Sequence, residues 1–205
     1  MIGKLITLEG IDGAGKSSFV DYIKNRLISA SLYVLYAREP GGTAVGEKIR
    51  DILLDQEMLP MTEFLLYLAS RSESVNRLYT PHLQKSARAI LLLDRFLDSS
   101  IVYQGFGRGF DPDLIIQLHK LTNSYLEPDI TFLFYCPLEI IKQRKNQDNL
   151  DRIEQMGDDF FEKLQNSYLE LARQHQKRIV VIDNSSSVDH TILQIDTALS
   201  YRGIL

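Results

Sequence analysis

The chain has 205 residues, 44% hydrophobic and 24% charged, with a net charge of −4. That is enough apolar material for one sizeable core, and the acidic balance argues against a broad nucleic-acid-binding surface while leaving room for a local basic pocket. One cysteine, Cys136, excludes an intrachain disulfide; no apolar run reaches membrane-spanning length, and the first residues enter a strand without a signal-peptide pattern. Neither a membrane nor a nucleic acid is therefore expected as a partner, and the cytoplasm is the expected compartment.

Leu5–Leu8 is the first of five short apolar runs, and Gly10-Ile11-Asp12-Gly13-Ala14-Gly15-Lys16-Ser17-Ser18 follows it. Gly10, Gly15, Lys16 and Ser17 have the spacing of a phosphate-binding P-loop, placed between a strand and the helical pattern Phe19, Val20, Ile23, Leu27. The glycines let the backbone curl so that successive N–H groups face an anion, and the helix adds its positive end. Lys16 is expected to reach the β- and γ-phosphates of a nucleotide, and the Ser17 hydroxyl to hold Mg²⁺. Gly10, Asp12, Gly13, Ala14, Gly15, Lys16, Ser17 and Ser18 are the expected ATP phosphate-binding set.

The other runs are Leu32–Tyr36, Ala89–Leu93, Ile130–Tyr135 and Ile179–Ile182, each separated from the next by helical patterns. Continuous apolarity suits strands buried on both faces, and their alternation with helices predicts an α/β fold with a five-stranded parallel sheet and helices on both sides. Ligands in such sheets collect beyond the carboxyl ends of the strands. That rule selects Arg38-Glu39-Pro40-Gly41-Gly42-Thr43 after the second run and Asp94-Arg95 after the third. Asp94 is placed to hold Mg²⁺ and Arg95 to grip a phosphate. Between these, apolar residues at helical spacing from Met61 to Leu78 carry Tyr67 and Arg71 on one face, four residues apart. Spacing alone favours a core tyrosine beside a solvated arginine. After Asp94-Arg95-Phe96, a helix sets Ser99 with Tyr103 and Ser100 with Gln104, and the glycine-rich Gly105–Gly109 ends it. Cys136 closes an apolar run and reads as a buried, unreactive thiol. The polar, cation-bearing stretch 142–154 suits either a mobile lid or a solvated helix–helix connection, which composition alone slightly favours, while helices over Met156–His175 and Val188–Tyr201 read as architectural.

Together these segments resemble the thymidylate kinase (dTMP kinase) family, over nearly the whole chain. The resemblance is carried by the ordered set Glu9–Ser17, Arg38–Thr43, Leu66–Arg71, Asp94–Ser100, Tyr103-Gln104-Gly105 and Leu150-Asp151-Arg152-Ile153-Glu154. It implies a P-loop NTPase fold of the nucleoside monophosphate kinase type, one domain over 1–205, and a lid at about 142–154. The implied reaction is ATP-dependent phosphorylation of dTMP to dTDP with Mg²⁺, and the implied assembly is a homodimer. Site roles follow in the same way. Asp12 would bind the sugar 3′-hydroxyl and help organise Mg²⁺; Tyr67 would stack on thymine and Arg71 hydrogen-bond it. Arg50 and Arg95 would hold the acceptor phosphate, Ser100 and Gln104 lie near base and sugar, and Tyr103 would crowd the 2′ position. The loop of Arg38 and Pro40 would border the acceptor. Gly13 stands where the eukaryotic branch carries arginine, so the sequence resembles the bacterial branch, whose catalytic arginine lies in the lid. Arg144 or Arg152 is the expected one, alongside Lys16, Arg95 and Asp12. Phe96 and Tyr67 replace residues that are commonly Tyr and Phe, respectively. The alternatives are another deoxynucleoside monophosphate kinase, a GTPase-type switch, which the absence of an Asn-Lys-x-Asp segment opposes, and a catalytically silent ATP-binding module.

Overall fold

The computed structural model describes residues 2–122, 124–144 and 156–205. The strands are β1 (Lys4–Glu9), β2 (Tyr33–Arg38), β3 (Ala89–Asp94), β4 (Ile130–Tyr135) and β5 (Ile179–Asp183). Among the described residues these five form one sheet, all neighbours parallel, in the order β2-β3-β1-β4-β5. Consecutive residues are buried along the three inner strands, for example Ile90, Leu91, Leu92 and Leu93, so both faces of the sheet are covered. The edge strands β2 and β5 are more exposed, as strands with one neighbour are. Two threonines break the apolar pattern of the inner strands. Thr7 and Thr131 are buried and 2.8 Å apart at their hydroxyls, and Thr131 also contacts the Asp98–Arg178 ion pair, so no polar atom is left stranded there.

The described helices are α1 (Lys16–Ser29), α2 (Ala44–Asp55), α3 (Pro60–Ser74), α4 (Thr80–Gln84), α5 (Leu97–Ser100), α6 (Pro112–Leu121), α7 (Leu138–Arg144), α8 (Asp158–Gln174) and α9 (Val188–Tyr201). On α1 the residues Phe19, Val20, Ile23 and Leu27 are buried, with Phe19 stacked 5.8 Å from Phe134 of β4. Each such side chain contributes about 1.5–3 kcal/mol of burial. Start signals are explicit. Thr43 caps α2 by accepting from the Gly46 N–H, Ser187 caps α9 through the His190 N–H, and Pro60 opens α3 in the first turn, where its missing donor costs nothing.

Two expected helices differ in detail. The pattern from Met61 to Leu78 is α-helical only to Ser74; Val75–Tyr79 is a π-helical turn leading into α4, whose first turn carries Pro81. A proline cannot donate to the preceding turn, and the wider π turn absorbs that loss. Likewise α5 is a single α turn, continued by the π-helical Ile101–Gly107. Cys136 is buried and its thiol is pushed up by burial, as an inert core cysteine should be.

In register, Leu8 of β1 lies opposite Asp94 of β3 and Phe132 of β4, while Arg38 of β2 also lies opposite Asp94. The carboxyl ends of β1, β2 and β3 therefore deliver the glycine loop, Arg38 and Asp94-Arg95 to one edge of the sheet. β1 is the switch point, because the chain fills the β3 side before crossing to β4.

Candidate active site

A cleft of about 580 Å³ opens at that edge, lined by Asp12, Gly13, Gly15, Lys16, Ser17 and Ser18 together with Asp94, Arg95 and Arg144. The loop's shape depends on its glycines. Gly10 has φ 130°, and a Cβ there would sit 2.4 Å from the Phe134 carbonyl oxygen; Gly15 has φ 99°, and a Cβ would meet Asn184 Nδ2 at 2.1 Å. No side chain fits either position. Lys16 is buried, and its ammonium donates to the carbonyls of Gly10 (2.8 Å) and Ile11 (3.0 Å). Burial, then the neighbouring Arg95, lowers its pKa to about 8, against the opposing pull of Asp12, Asp94 and Glu9. A charge held in this way would interact strongly with phosphate that enters the cleft.

Arg95 is the hinge between this cleft and a second pocket. Its φ of 69° is left-handed, a conformation costly for any side-chain-bearing residue. The strain is held on both sides. The Arg95 N–H donates to the Leu8 carbonyl at 2.9 Å, and the Phe96 N–H donates to Glu9 Oε1 at 2.8 Å. Glu9 also accepts from Ser99 and Tyr168, so a buried carboxylate anchors the turn. Burial, then the nearby Asp98, raises the Glu9 pKa to about 7, although the Ser99 hydrogen bond and Arg95 act the other way. The Arg95 side chain reaches back over the loop, donating to Gly10 O (2.9 Å), Ser99 Oγ (3.2 Å) and Asp12 Oδ1 (2.6 Å), with its guanidinium 5.2 Å from the Tyr103 ring. Burial opposes its charge, but Asp12 and the surrounding groups more than offset that and hold its pKa well above the ordinary value.

The second pocket shares Asp12, Glu39, Arg50 and Arg95 with the first and is completed by Pro40, Leu54, Tyr67, Arg71, Ser99, Ser100, Tyr103 and Gln104. Every residue expected at the acceptor site except Arg38 is thus brought together. Arg38 is exposed, lines the larger cleft and is bonded to Glu47 at 2.8 Å. Arg50 donates to the Pro40 carbonyl at 3.1 Å. Tyr67 is half-buried and lines the pocket, whereas Arg71 is buried and ion-paired with Glu39 at 2.5 Å. The solvated arginine that spacing alone favoured is absent; the buried carboxylate of Glu39 holds it inside. Tyr103 Oη donates to Asp12 Oδ2 at 3.4 Å, and Gln104 Nε2 donates to Glu63 Oε1 at 3.3 Å.

Of the two lid arginines, Arg144 ends α7 and donates to the Asn184 carbonyl at 3.0 Å, at the mouth of the larger cleft beside Ser186 and Val188. Arg152 and residues 145–154 of the expected lid lie outside the described residues. Sequence reading missed Asn184 as a site component and gave Glu39, Ser99 and Glu9 no role of their own. Asn184 donates to the Ala14 carbonyl and supports the loop from β5, which no local spacing announces. Glu39 and Ser99 stood inside recognised segments, but their partners are 32 and 90 residues away.

A glycine loop at the end of a parallel sheet, beside a second pocket that shares Asp12, Glu39, Arg50 and Arg95 with it, is the arrangement of a P-loop phosphotransferase. The thymidylate kinase family model matches residues 8–195. The thymidylate kinase of Prosthecochloris aestuarii is 42% identical over 213 residues, covering 98% of this chain and 95% of that protein. That of Thermosipho melanesiensis is 40% identical over 200 residues, covering 96% and 99%. The crystal structure of thymidylate kinase from Ehrlichia chaffeensis superposes with a TM-score of 0.77 at 29% identity, covering 98% of this chain and 99% of that one. The chain belongs to the thymidylate kinase family, and it is accordingly an ATP-dependent nucleoside monophosphate kinase.

Proposed function

We propose that the chain transfers the γ-phosphoryl group of ATP to the 5′-phosphate of dTMP, giving dTDP, with the donor in the glycine-loop cleft and the acceptor in the adjoining pocket. The observation that carries this reading is the convergence of Tyr67, Arg71, Arg50 and Arg95 on one pocket that shares its wall with the P-loop. The acceptor oxygen is already anionic, so no strong general base is needed; the work is holding two mutually repelling polyanions in line and neutralising charge as it develops. Backbone N–H groups of 10–18 and Lys16 take the donor phosphates. Arg50 and Arg95 take the acceptor phosphate, Asp12 the sugar hydroxyl, and Tyr67 and Arg71 the base. Arg38 and Pro40 border that site, and Ser100, Tyr103 and Gln104 close it. Arg144 or Arg152 meets the transferring group when the lid segment 142–154 of this single domain closes.

Ser17 and Asp94 fit a Mg²⁺ ion. Asp94 Oδ1 is buried and has no hydrogen-bond partner among the described residues. Among those residues no group of three or more His, Cys, Asp or Glu could hold a metal alone. Mg²⁺ characteristically takes one or two protein oxygens and completes its shell with phosphate and water. When bound, it supplies neutralisation of the phosphate charge. A homodimer is supported by apolar side chains left exposed on three helices: Ile52 of α2, Leu65 of α3 and Leu114 of α6. Because α3 packs on both α2 and α6, such residues suit a helix face in search of a partner. No described helix is long and apolar enough to cross a membrane, which accords with action in the cytoplasm.

The test is coupled-assay ADP production with ATP, Mg²⁺ and a panel of dTMP, dUMP, UMP, dCMP, dGMP and AMP. Turnover restricted largely to dTMP supports both sites at once. Turnover with a different base keeps the fold and mechanism but overturns the Tyr67–Arg71 assignment. ATP binding without turnover on any acceptor points instead to a silent binding module.

A further inference from the structure

Arg71 has five N–H bonds to donate. Its Nε donates to Glu39 Oε2 (2.5 Å), its Nη1 to Ser100 Oγ (2.9 Å), and its Nη2 to the Phe96 carbonyl (2.9 Å). The remaining Nη1 hydrogen meets His119 Nε2 at 3.1 Å. One Nη2 N–H is left without a partner among the described residues, on a side chain that lines the acceptor pocket. A guanidinium has no lone pair to give, so His119 Nε2 must be the acceptor in this contact. The neutral ring then carries its hydrogen on Nδ1, which lies 3.1 Å from Ser124 Oγ. The surroundings enforce this state. His119 is fully buried, edge-on to the Phe64 ring at 6.3 Å, and burial followed by the charge of Arg71 pushes its pKa down to about 2. The imidazole touches neither pocket and has no place in the reaction itself.

We propose that His119 is a positioning residue for base selection: as a tautomer-locked acceptor it takes one Nη1 hydrogen of Arg71 and so turns the guanidinium to present a single N–H to the pocket. A lone donor suits a base carbonyl and repels an exocyclic amino group at the same place, so the arrangement favours a thymine-like edge over a cytosine-like one. Without His119, the Nη1 hydrogen would be buried and unpaired, and the guanidinium would rotate to recover a partner. The inference deepens the proposed acceptor reading and rests on Arg71 meeting the base.

The test compares His119→Leu, His119→Gln and Arg71→Met with the parent enzyme, measuring kcat and KM for dTMP and dCMP and the melting temperature of each. His119→Leu is expected to raise the dTMP KM about tenfold with kcat within about twofold, and to narrow the dTMP-to-dCMP ratio of kcat/KM. His119→Gln, whose amide oxygen can accept, is expected to recover most of that loss. A purely structural histidine would lower the melting temperature in both variants and leave the base ratio alone, which would overturn the proposal. If His119→Leu does not fold, ¹⁵N NMR of the parent enzyme decides: the ring hydrogen on Nδ1 supports the proposal, and a hydrogen on Nε2 overturns it. If Arg71→Met leaves the dTMP KM unchanged, it is the base-recognition reading that fails; if Arg71→Met raises KM and His119→Leu does not, the positioning role alone is refuted.

Discussion

The two halves of the active site are built by opposite means. The proposed donor cleft has one contiguous stretch at its centre, the loop 10–18, whose backbone N–H groups and helix start suit a phosphate, with Asp94, Arg95 and Arg144 among the side chains around it. The acceptor pocket is made of side chains from the ends of β1 and β3, the loop after β2, α2, α3 and the α5–π segment. Phosphate looks the same from every direction, so a local curl of backbone suffices; a base and a sugar have distinct edges, and reading them takes groups arriving from several directions. Robustness differs accordingly. The loop takes its shape from its glycines and is held by single hydrogen bonds such as Asn184 to the Ala14 carbonyl, while the acceptor pocket depends on buried pairs such as Glu39–Arg71, where removing one partner strands the other's charge.

That contrast can be broken from either side. The largest expected effect is on the donor side: Lys16→Met should lower kcat on the order of 10³-fold, read by steady-state assay alongside an unchanged circular dichroism spectrum. Next comes the shared wall. Arg95→Ala is expected to lower kcat about 100-fold while the ATP Kd, measured by calorimetry, stays within about threefold. Equal loss of ATP binding and turnover would erase the distinction between donor and acceptor sides. On the acceptor side alone, Tyr67→Ala should raise the dTMP KM about tenfold with little change in kcat, since it removes stacking area and not charge; a kcat effect with unchanged KM would contradict the base-stacking role.

The smallest effect concerns stability. Glu9 has an ordinary pKa of 4.5 and a folded value of about 7, so between these the native state holds a proton that the unfolded chain has released. Its contribution is complete below pH 4.5 and is lost as pH rises through 7, so the unfolding free energy should fall across that window. Urea titrations at several pH values should show that slope flattened in Glu9→Gln; an unaltered slope would mean that another group carries it.

Most of the fold was legible because the inner parallel strands read as apolar runs, interrupted in β1 and β4 by the single threonines Thr7 and Thr131, and α1 carries a regular buried stripe. The P-loop was legible for the same reason that it is robust: its chemistry is local. Edge details were less so. Helical spacing does not foretell the π turns at Val75–Tyr79, which a proline follows in the next turn, and at Ile101–Gly107.

What the sequence determined by itself was the strand–helix alternation, the phosphate loop and the ordered segments that mark the family, because each is written in neighbouring residues or in a short repeat. What only the tertiary structure decided was which side chains share a hydrogen. Helical spacing alone gave Arg71 a solvated place and the family resemblance gave it a base to bind, but neither named Glu39, Ser100, Phe96 and His119 as the partners that close around it, and Arg95 took its left-handed turn only because Leu8 and Glu9 hold both of its flanks. Those partners lie 25 to 87 residues apart along the chain. Hydrogen bonds act over about 3 Å of space and are indifferent to sequence separation, so their pairing exists only once the sheet has set its strands in register.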